Sequence, residues 1–246
     1  MTLTNKVAVV VGGARMGDAL GRAFASRGAD VAFTYRHSRD AADRAAAVVT
    51  AAGRRTHVVE CDVTADVPAI EAVMQTIVDT LGRLDVLVLM ASRYESVPYA
   101  ELTTWAVERT LGVDMRGTFV CAQAAVPHMR ASGGGRIITF GDWTAASGRP
   151  RYKNYAPYYI AKAGVKAITE VLALELAPDI LVNSIAPGPV LPPDDMSDTE
   201  RARAEAVTPV GRWGGAEAVA QAVITLAETD FLTGETIRLD GGRHLR

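Results

Sequence analysis

Tyr158 and Lys162 stand four residues apart in the stretch Tyr155-Ala-Pro-Tyr158-Tyr159-Ile-Ala-Lys162-Ala-Gly164, at the start of a long apolar run with helical spacing. On a helix that spacing sets both side chains on one face, one turn apart. A phenol with a reference pKa of roughly 10 is a poor proton donor at neutral pH, but an ammonium one turn away favours the phenolate and brings the two protonation states closer. The pair therefore has the makings of a general acid. Taken alone it would equally suit an exposed tyrosine beside a solvated lysine, so its neighbours decide.

A second constellation lies near the start of the chain. Lys6-Val-Ala-Val-Val-Val11 reads as a strand and runs into Gly12-Gly-Ala-Arg15-Met16-Gly17 and then an amphipathic helical pattern. Glycines between strand and helix let the backbone approach a pyrophosphate, and the helix N-terminus supplies N–H donors to it. An ordinary tight turn would look similar. Further on, Thr34-Tyr35-Arg36-His37-Ser38-Arg39 offers no carboxylate where an adenine ribose would lie. A carboxylate there would bind the 2′-hydroxyl of NAD, whereas arginine accommodates the extra phosphate of NADP. The expected cofactor is NADP, with Tyr35, Arg36, His37 and Ser38 on its ribose side. Asp62 and Val63 suit a loop around the adenine.

These residues must be positioned by elements, and the pattern of elements is regular. Short β-branched runs at 6–11, 30–35, 55–60, 84–90, 135–140, 180–185 and 234–239 alternate with helical patterns at 17–27, 39–52, 66–81, 101–131, 157–176 and 216–228. Such alternation predicts an α/β fold, a Rossmann-type doubly wound parallel sheet of about seven strands with helices on both faces. The 246 residues, 49% of them apolar, suit one domain over 1–246. Between Gly188 and Gly215 a proline-rich excursion carries Pro189, Pro192, Pro193, the acidic Asp194-Asp195 and a short helical stretch, Thr199 to Ala206. It reads as a loop covering a substrate rather than as core.

Composition narrows the partners. A formal net charge of −2 with scattered charges gives no footprint for nucleic acid or an acidic membrane surface. Cys61 and Cys121 read as buried reduced thiols, and His37, His57, His128 and His244 have no ligand spacing with them, so no metal is expected. No run reaches transmembrane length and no basic segment precedes one, which predicts a cytoplasmic protein.

Over essentially its whole length the chain resembles the short-chain dehydrogenases/reductases. The Gly12–Gly17 turn, Asp62-Val63, Tyr158-x-x-x-Lys162, Asn183-Ser-Ile-Ala-Pro187-Gly188 and Leu239-Asp240-Gly241-Gly242 carry the resemblance. It implies that Tyr158 donates a proton, that Lys162 holds the nicotinamide ribose and lowers the tyrosine pKa, and that Pro187, Gly188 and Val190 border the nicotinamide. It also implies a homotetramer acting on a small molecule.

The departures from the family pattern are specific. The glycine turn is one residue short, and Arg15 occupies the place of its middle glycine. Leu89-Met90-Ala91-Ser92-Arg93-Tyr94 replaces the usual Asn-Asn-Ala-Gly, leaving Ala91 and Ser92 at the cofactor and Ser92 and Tyr94 toward the substrate. Asp114 stands where an asparagine usually meets a proton-relay water. A carboxylate can accept from that water but cannot donate to it, so the relay is expected to be altered or missing. Asp142 stands at the usual catalytic serine, with Ser147 as the nearest alternative hydroxyl. Arg15, Ser92, Tyr94 and Asp142 resemble the pteridine-reductase branch, where an aspartate works with the tyrosine to protonate a ring nitrogen or carbonyl. Trp143 and Trp213 are candidates to line the substrate pocket. The expected activity is NADPH-dependent reduction of a C=O or C=N group, pteridine-like in substrate. The alternatives are a 3-oxoacyl-carrier-protein or other ketone reductase, and a non-catalytic or regulatory subunit with a degenerate site.

Overall fold

The computed structural model describes residues 1–193 and 196–246; the Asp194-Asp195 pair of the proline-rich excursion lies outside the described residues. The chain runs through β1 (Val7–Val11), α1 (Gly17–Ala25), β2 (Asp30–Tyr35), α2 (Arg39–Ala51), β3 (Thr56–Glu60), α3 (Val67–Leu81) and β4 (Val86–Leu89). It continues through α4 (Thr104–Leu111), α5 (Gly117–Ala131), β5 (Gly135–Phe140), α6 (Trp143–Ala146), α7 (Ala156–Leu176), β6 (Ile180–Pro187), α8 (Asp198–Ala206), α9 (Gly215–Glu228) and β7 (Thr236–Leu239).

The strands form one parallel sheet in the order β3-β2-β1-β4-β5-β6-β7. Its central strands are continuous apolar runs because both faces are covered. Ala8 and Val10 of β1 pack with α1, α2 and α9 on one face, while Val7, Val9 and Val11 pack with α3, α5 and α7 on the other. That division is the two-residue alternation of a strand. The chain leaves β1 toward β2 and β3, then returns to place β4 on the opposite side of β1. A crevice must open at the carboxyl ends of β1 and β4, where the connections diverge.

Two elements differ from expectation. The single helical span expected over 101–131 is broken into a 3-10 turn at Tyr99–Glu101, α4, a π turn at Gly112–Arg116, and α5. The extra residue in the wide turn carries Asp114 inward, where partners from other elements hold it. Gly117 follows because a Cβ there would lie 2.9 Å from Val63 Cγ2. The last strand is also shorter than 234–239, since Gly234 bends the backbone to φ +80 before pairing begins. Among the described residues no helix is long and apolar enough to cross a membrane.

Candidate active site

At the crevice between β1 and β4 lies a cleft of about 530 Å³, lined by the Gly12–Gly17 turn, the β2 end from Phe33 to Ser38, Cys61 and Val63, and the segment Met90–Arg93. Gly12 has φ +77, and a Cβ there would sit 2.9 Å from the Ala91 backbone, so only glycine lets the two loops meet. Gly17 opens α1, whose first turn has no side-chain cap, leaving its N–H groups for another acceptor. A second cavity of about 410 Å³ shares Ala14, Arg15, His37, Ser38 and Ala41 with the first, and adds Arg39, Asp40 and Arg44.

The basic residues are engaged in different ways. Arg36 pairs with Asp62 at 2.9 Å, and Arg39 reaches both Asp43 and the Tyr35 hydroxyl at 3.3 Å. Arg15 donates to the Pro192 carbonyl, tying the glycine turn to the proline-rich segment. Arg44, which lines the second cavity, was not singled out in the sequence, where it looks like any charge on an exposed helical face.

The chemical cluster is assembled by β5, the π turn and α7. Asp142 caps α6, its Oδ1 accepting from the Thr144 N–H at 2.7 Å and from the Thr144 hydroxyl, while its Oδ2 accepts from the Tyr158 hydroxyl at 3.3 Å. Ser147 instead donates its hydroxyl to the Trp143 carbonyl at 2.7 Å. Of the two alternatives, the geometry brings Asp142 to the tyrosine. Lys162 is buried; its Nζ donates to the Phe140 carbonyl at 2.8 Å and pairs with Asp114 Oδ1 at 3.1 Å. Asp114, fully enclosed, also accepts from the Ser92 hydroxyl and from the Arg93 N–H at 2.7 Å. The direct ion pair stands where the family pattern has an asparagine and a water, and where the relay was expected to be altered or missing.

This geometry corrects one expectation. Lys162 lies 5.6 Å from the Tyr158 ring centroid, but its charge is countered by Asp114 at 3.1 Å. Burial pushes the Tyr158 pKa well above its ordinary value, and the carboxylates of Asp142 and Asp114 push it further.

Aromatic rings wall the outer side. Tyr94, 52% exposed, stacks on Tyr155 with centroids 4.6 Å apart and meets the Tyr158 ring edge-on at 4.8 Å. Tyr152 bridges from Tyr155 at 6.4 Å to Trp143 at 6.3 Å. Trp143 itself is buried at the end of this row of rings. Trp213 is half-buried, away from the cleft lining, and its Nε1 has no hydrogen-bond partner among the described residues. Ser92, expected at both cofactor and substrate, lines the cleft with its hydroxyl committed to Asp114. Pro187, Gly188 and Val190 follow the end of β6, where the Gly188 N–H donates to the Leu239 carbonyl at 3.0 Å and ties the segment to the C-terminal turn. Sequence reasoning missed the Phe140 carbonyl and the Arg93 N–H because backbone groups carry no residue signal. Tyr152 and Tyr155 could have been suspected from their nearness to Tyr158.

The family model described as Enoyl-(Acyl carrier protein) reductase matches residues 13–244. The short-chain reductase protein NovJ of Streptomyces niveus is 36% identical, over 96% of this chain and 93% of its own. A 3-oxoacyl-[acyl-carrier-protein] reductase of a Synechocystis species is 34% identical, over 98% of this chain and 97% of its own. Among solved structures, a blue fluorescent protein from a metagenomic library in complex with NADPH has a TM-score of 0.87 at 32% identity, covering 99% of each chain.

Proposed function

The chain belongs to the short-chain dehydrogenase/reductase family and is an oxidoreductase, and from that premise we propose that it uses NADPH to reduce a C=O or C=N carbon of a small molecule. The observation that carries this reading is the cluster in which the Tyr158 hydroxyl meets Asp142 at 3.3 Å beside a buried Lys162. A chain freed from catalysis has no need to keep a lysine charge buried there, which disfavours a non-catalytic subunit.

The residues present fit NADP. The uncapped start of α1 and the glycine turn suit a pyrophosphate, and Arg15, Arg39 and Arg44 around the second cavity suit a ribose phosphate. When bound, the nicotinamide supplies the hydride. Lys162 has three N–H donors, two of them directed to Phe140 and Asp114, and the third serves a ribose hydroxyl. Tyr158 gives its proton to the oxygen or nitrogen as the adjacent carbon is reduced. Asp142, half-buried and hydrogen-bonded to the same hydroxyl, lies where it can take up a proton from solvent and pass it to the phenolate.

Two substrate readings follow from specific contacts. The exposed Tyr94 ring at the edge of Tyr158, with Asp142 as partner, supports a planar pteridine-like ring. The commitment of the Ser92 hydroxyl to Asp114 removes one contact of that kind and favours a simpler ketone, including a 3-oxoacyl group. The protein is proposed to work in the cytoplasm as a homotetramer. Titration with NADPH and NADH, followed by a panel of ketones, 3-oxoacyl thioesters and pterins, tests the reading: tighter binding of NADPH and turnover of at least one compound are expected. Equal dissociation constants for the two cofactors would remove the NADPH assignment, and turnover of none would remove the reductase.

A further inference from the structure

Asp114 does more than fill an asparagine position. Its carboxylate joins three separate pieces of chain: Lys162 on α7 at 3.1 Å, the Ser92 hydroxyl, and the Arg93 N–H at 2.7 Å on the cleft wall. Its own carbonyl accepts from the Thr118 hydroxyl at 2.6 Å, fixing the π turn that presents it. Neither charge of the ion pair is left to water, since Asp114 is 0% and Lys162 3% exposed. Such a pair persists in a protein interior when further hydrogen bonds support it, as Ser92, Arg93 and the Phe140 carbonyl do here. The lysine charge, 5.6 Å from the tyrosine ring centroid, is thus balanced by an opposite charge nearer to it.

We propose that Asp114 is a positioning residue that sets the pH range of the site: by pairing with Lys162 and pinning Ser92 and Arg93, it offsets the lysine charge beside Tyr158 and carries the pH profile of proton transfer toward alkaline. This rests on the reading of Tyr158 as proton donor. The groups that face Tyr158 are Asp142 after β5 at 3.3 Å, Asp114 from the π turn, Tyr94 edge-on after β4 at 4.8 Å, and Lys162 on its own helix. The Arg93 guanidinium is turned to Glu95 at 2.9 Å and does not replace the lysine charge. The upward shift of the phenol, due first to burial and then to the two carboxylates, agrees with this arrangement.

The test is Asp114→Asn, which keeps the size of the side chain and an oxygen acceptor while removing the charge. Reduction needs the protonated phenol and is lost as pH rises through its pKa; oxidation needs the phenolate and appears through the same pKa. Freed from its counter-charge, Lys162 should lower that pKa in Asp114→Asn. The expected result is a pH profile of ketone reduction moved toward acid by about one unit. Titration of tyrosinate absorbance, with the matching Tyr158→Phe protein subtracted, reads the same midpoint without any turnover. Identical midpoints in the parent and Asp114→Asn would overturn the proposal. If no carbonyl compound consumed NADPH, the reductase reading would fail, and the tyrosinate titration would still decide the role of Asp114.

Discussion

Asp142 and Ser147 compete for one role, and their hydrogen bonds separate them. Asp142 accepts from the Tyr158 hydroxyl, whereas Ser147 spends its own hydroxyl on the Trp143 carbonyl. Asp142→Ala should therefore lower turnover by about 10²-fold, the lower end of the range for proton transfer by a positioned side chain, and Ser147→Ala by much less. Parallel kcat measurements on the two variants check this; equal losses would break the link between Asp142 and the tyrosine. At the other end of the cleft, Arg36 pairs with Asp62 where an NAD-binding protein would place a carboxylate on the ribose. A charge-assisted contact to the extra phosphate is worth on the order of 1.5–3 kcal/mol. Arg44→Asp, which replaces a cation of the second cavity by a carboxylate, should then lower the affinity for NADPH relative to NADH, as read by dissociation constants for each.

The elements were legible in the sequence where local pattern and tertiary burial agree. The β-branched runs became the seven strands, and the lysine four residues after Tyr158 fell on the same helix. The π turn was not legible, because nothing in Gly112-Val-Asp-Met-Arg116 departs from a helical pattern; the turn widens around Asp114, whose partners come from the segment after β4 and from α7. The Tyr158 pKa was misjudged for the same reason: Lys162 is local, but Asp142 and Asp114 arrive from other elements. Close approaches between elements were legible only as glycines. Gly188, after β6, shows what one of them is for: a Cβ there would lie 2.5 Å from Asp240 Cβ and 2.8 Å from its Cα. Backbone cannot yield as a flexible side chain can, so Gly188→Ala should cost about 1–3 kcal/mol, the usual range for overpacking. Thermal denaturation reads that cost, and an unchanged Tm would show that the β6 end and the C-terminal turn are not held so tightly.

The whole molecule leaves an apolar face uncovered. Ile160, Val171 and Leu174 on α7 are 52%, 54% and 82% exposed, and their spacing sets them along one side of the helix. Phe119 on α5 and Trp105 on α4 are also exposed. A homotetramer that pairs these helices would cover them; light scattering should give the mass of four chains, and Leu174→Asp should yield smaller species. A monomeric mass for the parent protein at micromolar concentration would refute the assembly. The central claim is that this fold delivers a proton from Tyr158 to a carbonyl or imine while NADPH is consumed, and it is tested most directly by substrate-dependent NADPH consumption measured side by side for the parent and Tyr158→Phe. The phenylalanine keeps the ring and its packing but has no proton to give, so the rate should fall by about 10²–10⁴-fold with NADPH affinity unchanged. Full activity in Tyr158→Phe, or no consumption by the parent protein across the panel, would contradict the account.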